Sequence, residues 1–161
     1  MNLSTAGNKG KGVRSDCFIT FEPTEHGAHE ITIQSKVKAL FGKQIEKLIG
    51  DILDFYQIKN AKVNVEDSGA IPLVMAARME ACIKKLMPSE KEFLLPFLPE
   101  NSYETTKEIN RFSRLYLPGN TPSLAINAGI HHPEGIILDL EDAVAPDKKF
   151  HGLFKDVEFL S

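Results

Sequence analysis

The chain has 161 residues, 42% of them hydrophobic, with a formal net charge of -3 and a pI near 6.0. That length bounds it to one domain, or one small domain and a piece of another. The apolar fraction excludes global disorder, and the charge balance excludes wholesale attraction to nucleic acid or to a membrane surface. No apolar run is long enough to span a bilayer, and the polar, Gly-rich start "MNLSTAGNKGKGVRSD" lacks the apolar core of a signal peptide. Cys17 and Cys82 have no metal-like spacing and make a poor disulfide framework, so they read as buried thiols in a reducing, cytoplasmic setting.

Residues 1–14 read as a flexible arm. "CFITFEP" then has the pattern of a strand that stops before Pro23. "TEHGAH" is a turn, and "EITIQS" alternates as a half-buried strand should, so these two runs are expected to pair as a hairpin. From Val37 to Tyr56, Leu40, Phe41, Ile45, Leu48, Ile49, Ile52 and Leu53 recur at three- and four-residue steps, which predicts one broad apolar helix face with Ser35 as its N-cap. Gly42 and Gly50 lie inside that helix, each costing about 1 kcal/mol against Ala unless it allows a close approach.

"AKVNVED" predicts a third strand with Val63 and Val65 on one face. Ser68 is a candidate cap for a following helix with Pro72 in its first turn and Ile71, Met75, Met79, Cys82, Ile83 and Leu86 along it, ending at Pro88. Residues 15–87 therefore read β-β-α-β-α, a compact α+β domain. Residues 88–110, with three prolines in the first stretch, read as a linker that packs locally through Phe93, Leu94, Leu95, Phe97 and Leu98. "SRLYLPGN" is then a strand with a Pro-Gly turn. "TPSLAINAGIHH" is a short helix with Thr121 as cap and Pro122 at its first position. "EGIILDLEDAV" is a second strand whose continuous run Ile136–Leu138 suits a parallel sheet covered on both faces. This is the start of a β-α-β unit, which implies a parallel neighbour. The charge balance shifts along the chain, since residues 1–87 carry 12 Lys/Arg and 10 Asp/Glu and residues 88–161 carry 7 and 12, as two unlike segments would.

Two stretches carry a family likeness. The "SxVxxxFGxxI" helix start, the "VxVxDxGA"-type strand and turn and the "AAR" helix, behind "RSDCFITFEP", resemble the acyl carrier (gamma) subunit of citrate lyase over about residues 13–87. "LYLPGN" followed by "LDLEDAV" resembles the front of the citrate lyase beta subunit and of related aldolases and malyl-CoA-type lyases, over residues 111–149. The resemblance implies an acyl-carrier-like α+β domain followed by the first β-α-β of an incomplete (β/α)8 barrel.

In the carrier family a serine hydroxyl forms a phosphodiester to a phosphoribosyl-dephospho-CoA arm, whose terminal thiol carries the acyl group. The resemblance points to Ser15 as the attachment site. The family often reads Ser-Ser-Asp or Ser-Gly-Asp with the first serine modified; Arg14 stands at that place here, and Ser15 fits with a one-residue slip. The other reading of Ser15 is an ordinary strand-entry serine. Asp67, Ser68 and Gly69 are either a docking surface or plain strand-to-helix turn chemistry, the latter favoured. Arg78, set between apolar positions, is expected to pair with a carboxylate as a structural residue.

Asp139, Glu141 and Asp142 stand where barrel active sites gather, at a strand's C-terminal end. In the resembling lyases the direct Mg2+ ligands lie on later strands, and the acids equivalent to Glu141 and Asp142 order the metal's surroundings, with Asn120 near the same rim. His131, His132 and His151 read as surface residues, and no phosphate-loop or dinucleotide glycine pattern is present. A barrel takes about 250 residues, whereas "FHGLFKDVEFLS" is all that follows Lys149, so residues 150–161 read as an aberrant tail on a truncated barrel.

Three functions remain open. The first is a carrier component of a citrate lyase-like system, working with citrate lyase-like subunits or with itself on small organic acid or CoA thioester substrates. The second is a fragment of a CoA-thioester carbon-carbon lyase. The third is a non-catalytic α+β interaction module attached to a truncated aldolase domain.

Overall fold

A computed structural model describes residues 3–96, 99, 106, 108 and 110–151. The chain divides into two compact units, residues 1–93 and 94–161. In the first, the order is β1 (Ser4–Gly7), β2 (Cys17–Pro23), β3 (His29–Ser35), α1 (Lys38–Phe55), β4 (Ala61–Asp67) and α2 (Pro72–Leu86). One four-stranded sheet runs β1-β2-β4-β3. β2 is antiparallel to β1 and to β4, while β3 and β4 are parallel and joined through α1.

The period-2 pattern of the strands decides which face is covered. Ala6 of β1, Cys17, Ile19 and Phe21 of β2, Ile33 of β3 and Ala61, Val63 and Val65 of β4 all point into one core. Ile45, Ile49, Ile52 and Leu53 of α1 and Met75, Met79, Cys82 and Ile83 of α2 close it. Each fully buried aliphatic side chain contributes about 1.5–3 kcal/mol. The alternate residues Thr20, Thr32, Lys62 and Asn64 leave the opposite sheet face polar.

The α+β order expected for residues 15–87 is present, with four corrections. The expected arm over residues 1–14 contains β1, whose Ser4 and Ala6 are buried. Ser4 Oγ donates to the Cys82 carbonyl at 2.8 Å and Lys85 Nζ to the Thr5 carbonyl at 2.6 Å. Its short, polar sequence hides a strand that tertiary pairing alone creates. The expected β2–β3 hairpin does not form: β4 lies between them, because the valine-bearing strand takes the central place that buries its inner face. Ser35 is not the N-cap of α1, which is Val37; Ser35 ends β3, donates to Asp67 Oδ2 at 2.6 Å and accepts the Val37 N–H at 3.1 Å. Ser68 does not cap α2, whose N-cap is Ile71; instead Asp67 Oδ1 accepts the Gly69 and Ala70 N–H groups, both at 2.8 Å.

The helix face of α1 is narrower than its pattern, since Val37, Leu40 and Phe41 at its start are exposed. The expected linker also begins later than residue 88. Phe93 packs on the first core, its N–H reaches Glu80 Oε2 at 3.1 Å, and its ring meets Phe55 edge-on at 5.6 Å. Leu94 is exposed, while Phe97 and Leu98 lie outside the described residues.

The second unit holds β5 (Arg114–Pro118), α3 (Pro122–Asn127), a 3-10 turn (Ala128–His131), β6 (Gly135–Asp139) and a further 3-10 turn (Pro146–His151). β5 and β6 are parallel, in register Leu115↔Ile136 and Leu117↔Leu138, as the sequence predicts for the two strands. Thr121 is the N-cap of α3 and Pro122 its first residue, but the Thr121 hydroxyl bonds Asn120 rather than the helix. Leu117, Ala128 and Leu138 form the small core. Ile136 and Ile137 are only half-buried, so the two-sided cover expected of this strand is not built by the described residues. Residues 152–161 of the expected tail lie outside the described residues.

Candidate functional site

The segment 8–16 joins β1 to β2 and carries the predicted serine at its end. Its base is built from four constraints. Gly7 has φ +95°, and a Cβ there would stand 1.8 Å from the Cys17 carbonyl oxygen, so only glycine lets the strands approach. Asn8 Nδ2 donates to Asp16 Oδ2 at 2.9 Å, tying the two ends together. Arg78 reaches Asp16 from α2 with two parallel bonds, Nε to Oδ1 and Nη2 to Oδ2, both 3.0 Å. The Cys17 N–H completes the carboxylate's shell at 2.8 Å from Oδ1. Asp16 and Arg78 are both buried, so each charge depends on the other for its compensation.

Ser15 sits directly on this anchor. Its φ is +55°, a left-handed conformation that serine rarely adopts. The strain is held by the sheet: the Ser15 N–H donates to the Ser68 carbonyl at 3.0 Å, and the Ser68 N–H to the Asp16 carbonyl at 2.9 Å. Ser15 is half-buried between exposed Arg14 and buried Asp16. The predicted serine and the predicted turn Asp67–Gly69, read separately from the sequence, are thus one structural feature.

Arg78 pairs with a carboxylate as expected. The partner, Asp16, escaped sequence reasoning, as did Asn8. The available signal was an acid directly before an apolar strand, matched by a lone arginine among apolar helix positions. The two cysteines are free and buried. Burial, reinforced by the neighbouring Asp16 carboxylate, pushes the Cys17 thiol well above its ordinary value. Burial pushes the Cys82 thiol up to about 12. Neither is a nucleophile at neutral pH.

Residues 6–86 match the family model described as malonate decarboxylase delta subunit, an acyl carrier protein model. The citrate lyase acyl carrier protein of Fusobacterium nucleatum is 37% identical over 89 residues, which is 55% of this chain and 95% of that protein. The chain belongs to the citrate lyase acyl carrier protein family. Other carriers of this family stand at similar distance. The protein of Treponema denticola is 35% identical over 71 residues, 44% of this chain and 79% of its own. That of Lactococcus lactis is 40% identical over 76 residues, 47% of this chain and 78% of its own. No solved structure matches the chain. The carrier family model thus runs from within β1 to the end of α2 and stops before β5.

The second unit lies outside the carrier-family match. Asp139 closes its own turn, its Oδ1 accepting the Glu141 N–H at 2.7 Å and its Oδ2 the Ala143 N–H at 3.3 Å. Glu141 and Asp142 lie exposed beyond the end of β6, and His131 and His132 are exposed. Gly119 after β5 donates to the Asp139 carbonyl at 2.8 Å, and a Cβ there would meet Leu140 at 2.7 Å, so the two strand ends meet at glycine. Among the described residues no three His, Cys, Asp or Glu side chains gather as a metal site. Two exposed carboxylates do not make the oxygen cage that Mg2+ takes. Among the described residues no helix is long and apolar enough to cross a membrane.

Proposed function

We propose that residues 1–93 act as the acyl carrier module of a citrate lyase-like system, with Ser15 as the attachment point of a phosphoribosyl-dephospho-CoA arm. The observation that carries this reading is the family match combined with the position of Ser15: a half-buried serine set on a buried ion pair, beside a glycine-rich loop. The arm, when bound, supplies a terminal thiol that holds the acyl group as a thioester. The chain's own part is mechanical. Asp16 and Arg78 keep the attachment residue fixed to the sheet, so that any swing belongs to the arm and not to the backbone. An arm on a fixed root searches a smaller volume than one on a mobile tail.

The partners in this reading are citrate lyase-like subunits or a second copy of the chain, acting on small organic acid or CoA thioester substrates in a reducing cytoplasm. The second unit, with "LYLPGN" leading into "LDLEDAV", is read as the opening β-α-β of a lyase (β/α)8 barrel, in which Glu141 and Asp142 would stand near a Mg2+ site completed by other strands. The parallel pairing of β5 and β6 supports that reading. A non-catalytic interaction module is the competing function.

The test is the intact mass of the full chain after co-expression with the prosthetic-group transferase of a citrate lyase system. The expected outcome is one added phosphoribosyl-dephospho-CoA, abolished in Ser15→Ala and retained in Ser68→Ala. No added mass, or addition that persists in Ser15→Ala, sinks the assignment.

A further inference from the structure

The segment preceding Ser15 has a chemistry that attachment alone does not require. It reads Gly7-Asn8-Lys9-Gly10-Lys11-Gly12-Val13-Arg14, three cations in six residues, with Gly10 and Gly12 spaced among them. Gly10 and Gly12 have φ of +118° and +91°, and a Cβ added at either meets nothing within 4 Å. These glycines therefore serve no internal packing; they set the course of a loop open to solvent. A single turn, with the Val13 N–H on the Gly10 carbonyl at 3.4 Å, shapes its tip.

The local charge is unbalanced. The nearest acid in sequence, Asp16, is buried and paired with Arg78, so it offers little to neutralise the loop. Lys9 meets Glu66 at 3.1 Å and lies over the Phe18 ring at 4.2 Å from its centroid, which fixes one flank. Lys11 and Arg14 are exposed. A loop backbone free of side-chain bulk at Gly10 and Gly12, with an exposed lysine and arginine beside them, suits the close approach of an anion with several oxygens.

We propose that the loop Lys9–Ser15 is a phosphate-binding subsite, with Lys11 and Arg14 as its free cations, that takes the phosphates of a nucleotide diphosphate of the dephospho-CoA class. The proposal rests on the carrier reading only for the identity of that ligand. Bound there, the phosphate-rich root of the arm lies against the protein, and the remainder extends from it.

The test uses the full 15N-labelled chain without its arm, titrated with dephospho-CoA and, separately, with inorganic pyrophosphate. Both are expected to shift the amides of residues 9–15, and 0.5 M salt to weaken both. Removing one cation from contact with a phosphate weakens binding by about fivefold, and Lys11→Glu/Arg14→Glu together by more than about tenfold. Lys59→Glu, at the other end of β4, leaves binding unchanged, and Lys11→Arg retains it. Shifts with pyrophosphate and none with dephospho-CoA would overturn the nucleotide assignment. Shifts elsewhere, or binding unaltered in the double variant, would overturn the site. The carrier reading fails separately: binding at the loop with no mass gained from the transferase refutes attachment at Ser15 and leaves the subsite standing.

Discussion

Arg78→Met isolates the role of the buried pair beneath Ser15. Methionine keeps the apolar stem of the arginine and removes its charged head. In its absence Asp16, nine-tenths or more buried, keeps only the Cys17 N–H and the Asn8 amide of its four donors. Removing one partner of such a pair costs about 3–5 kcal/mol, because the other charge stays desolvated. With a urea slope of about 1.5 kcal/mol/M, that is a fall of roughly 2–3 M in the unfolding midpoint. Asp16→Ala strands the guanidinium and is expected to cost a similar amount. Asp16→Ala/Arg78→Met removes both charges, so its cost falls below the sum of the singles by about 2–3 kcal/mol. The assay is urea unfolding followed by loss of amide protection in β2 and β4, which reports the first unit specifically. The Ser15 and Ser68 amides should lose protection first in either single variant. A cost below about 1 kcal/mol for Arg78→Met, or strictly additive singles, would refute the claim that the pair anchors the loop.

Gly7→Ala and Gly50→Ala should move stability in opposite directions. At Gly7 the left-handed φ alone costs about 1–2 kcal/mol, and the 1.8 Å approach to the Cys17 carbonyl adds a backbone clash, so a loss above ~2 kcal/mol is expected in thermal unfolding. At Gly50 a Cβ meets nothing within 4 Å in a helix interior, so alanine should add about 0.5–1 kcal/mol; a loss there would contradict the open geometry. The buried thiols set an alkaline limit. Their folded pKa values are raised, so the folded state keeps both protons while the unfolded chain releases its own above about pH 8.5. Stability is therefore full below that pH and falls as pH rises towards 12, and Cys17→Ala/Cys82→Ala should flatten the decline. Thiol-specific reagents should label neither cysteine in native buffer and both in urea; rapid native labelling would contradict their burial.

Much of the first unit is legible in its sequence because its signals are local. Ile45, Ile49, Ile52 and Leu53 declare a helix by their spacing, Val63 and Val65 declare a strand by alternation, and Pro72 marks the start of α2. The likeness to a carrier subunit is legible for the same reason, since the motif order from Ser35 to Ile83 survives without reference to contacts. The exposed start of α1 marks the limit of periodicity: Leu40 continues the apolar pattern but has no neighbour to cover it.

What required the tertiary structure is everything that depends on residues far apart in the chain. β1 has no apolar pattern and exists because β2 offers it an edge. The order β1-β2-β4-β3 sets the two strands with fully buried inner faces, β2 and β4, side by side at the centre, which no turn between β2 and β3 can announce. The bond between Asp16 and Arg78 spans 62 residues, and neither side chain alone states that both charges are buried. The order of residues along the chain places a serine, a glycine-rich segment and three cations side by side. Only the fold decided that Ser15 is held in a left-handed turn against Ser68, because hydrogen bonding across the sheet supplies the energy that its local conformation lacks.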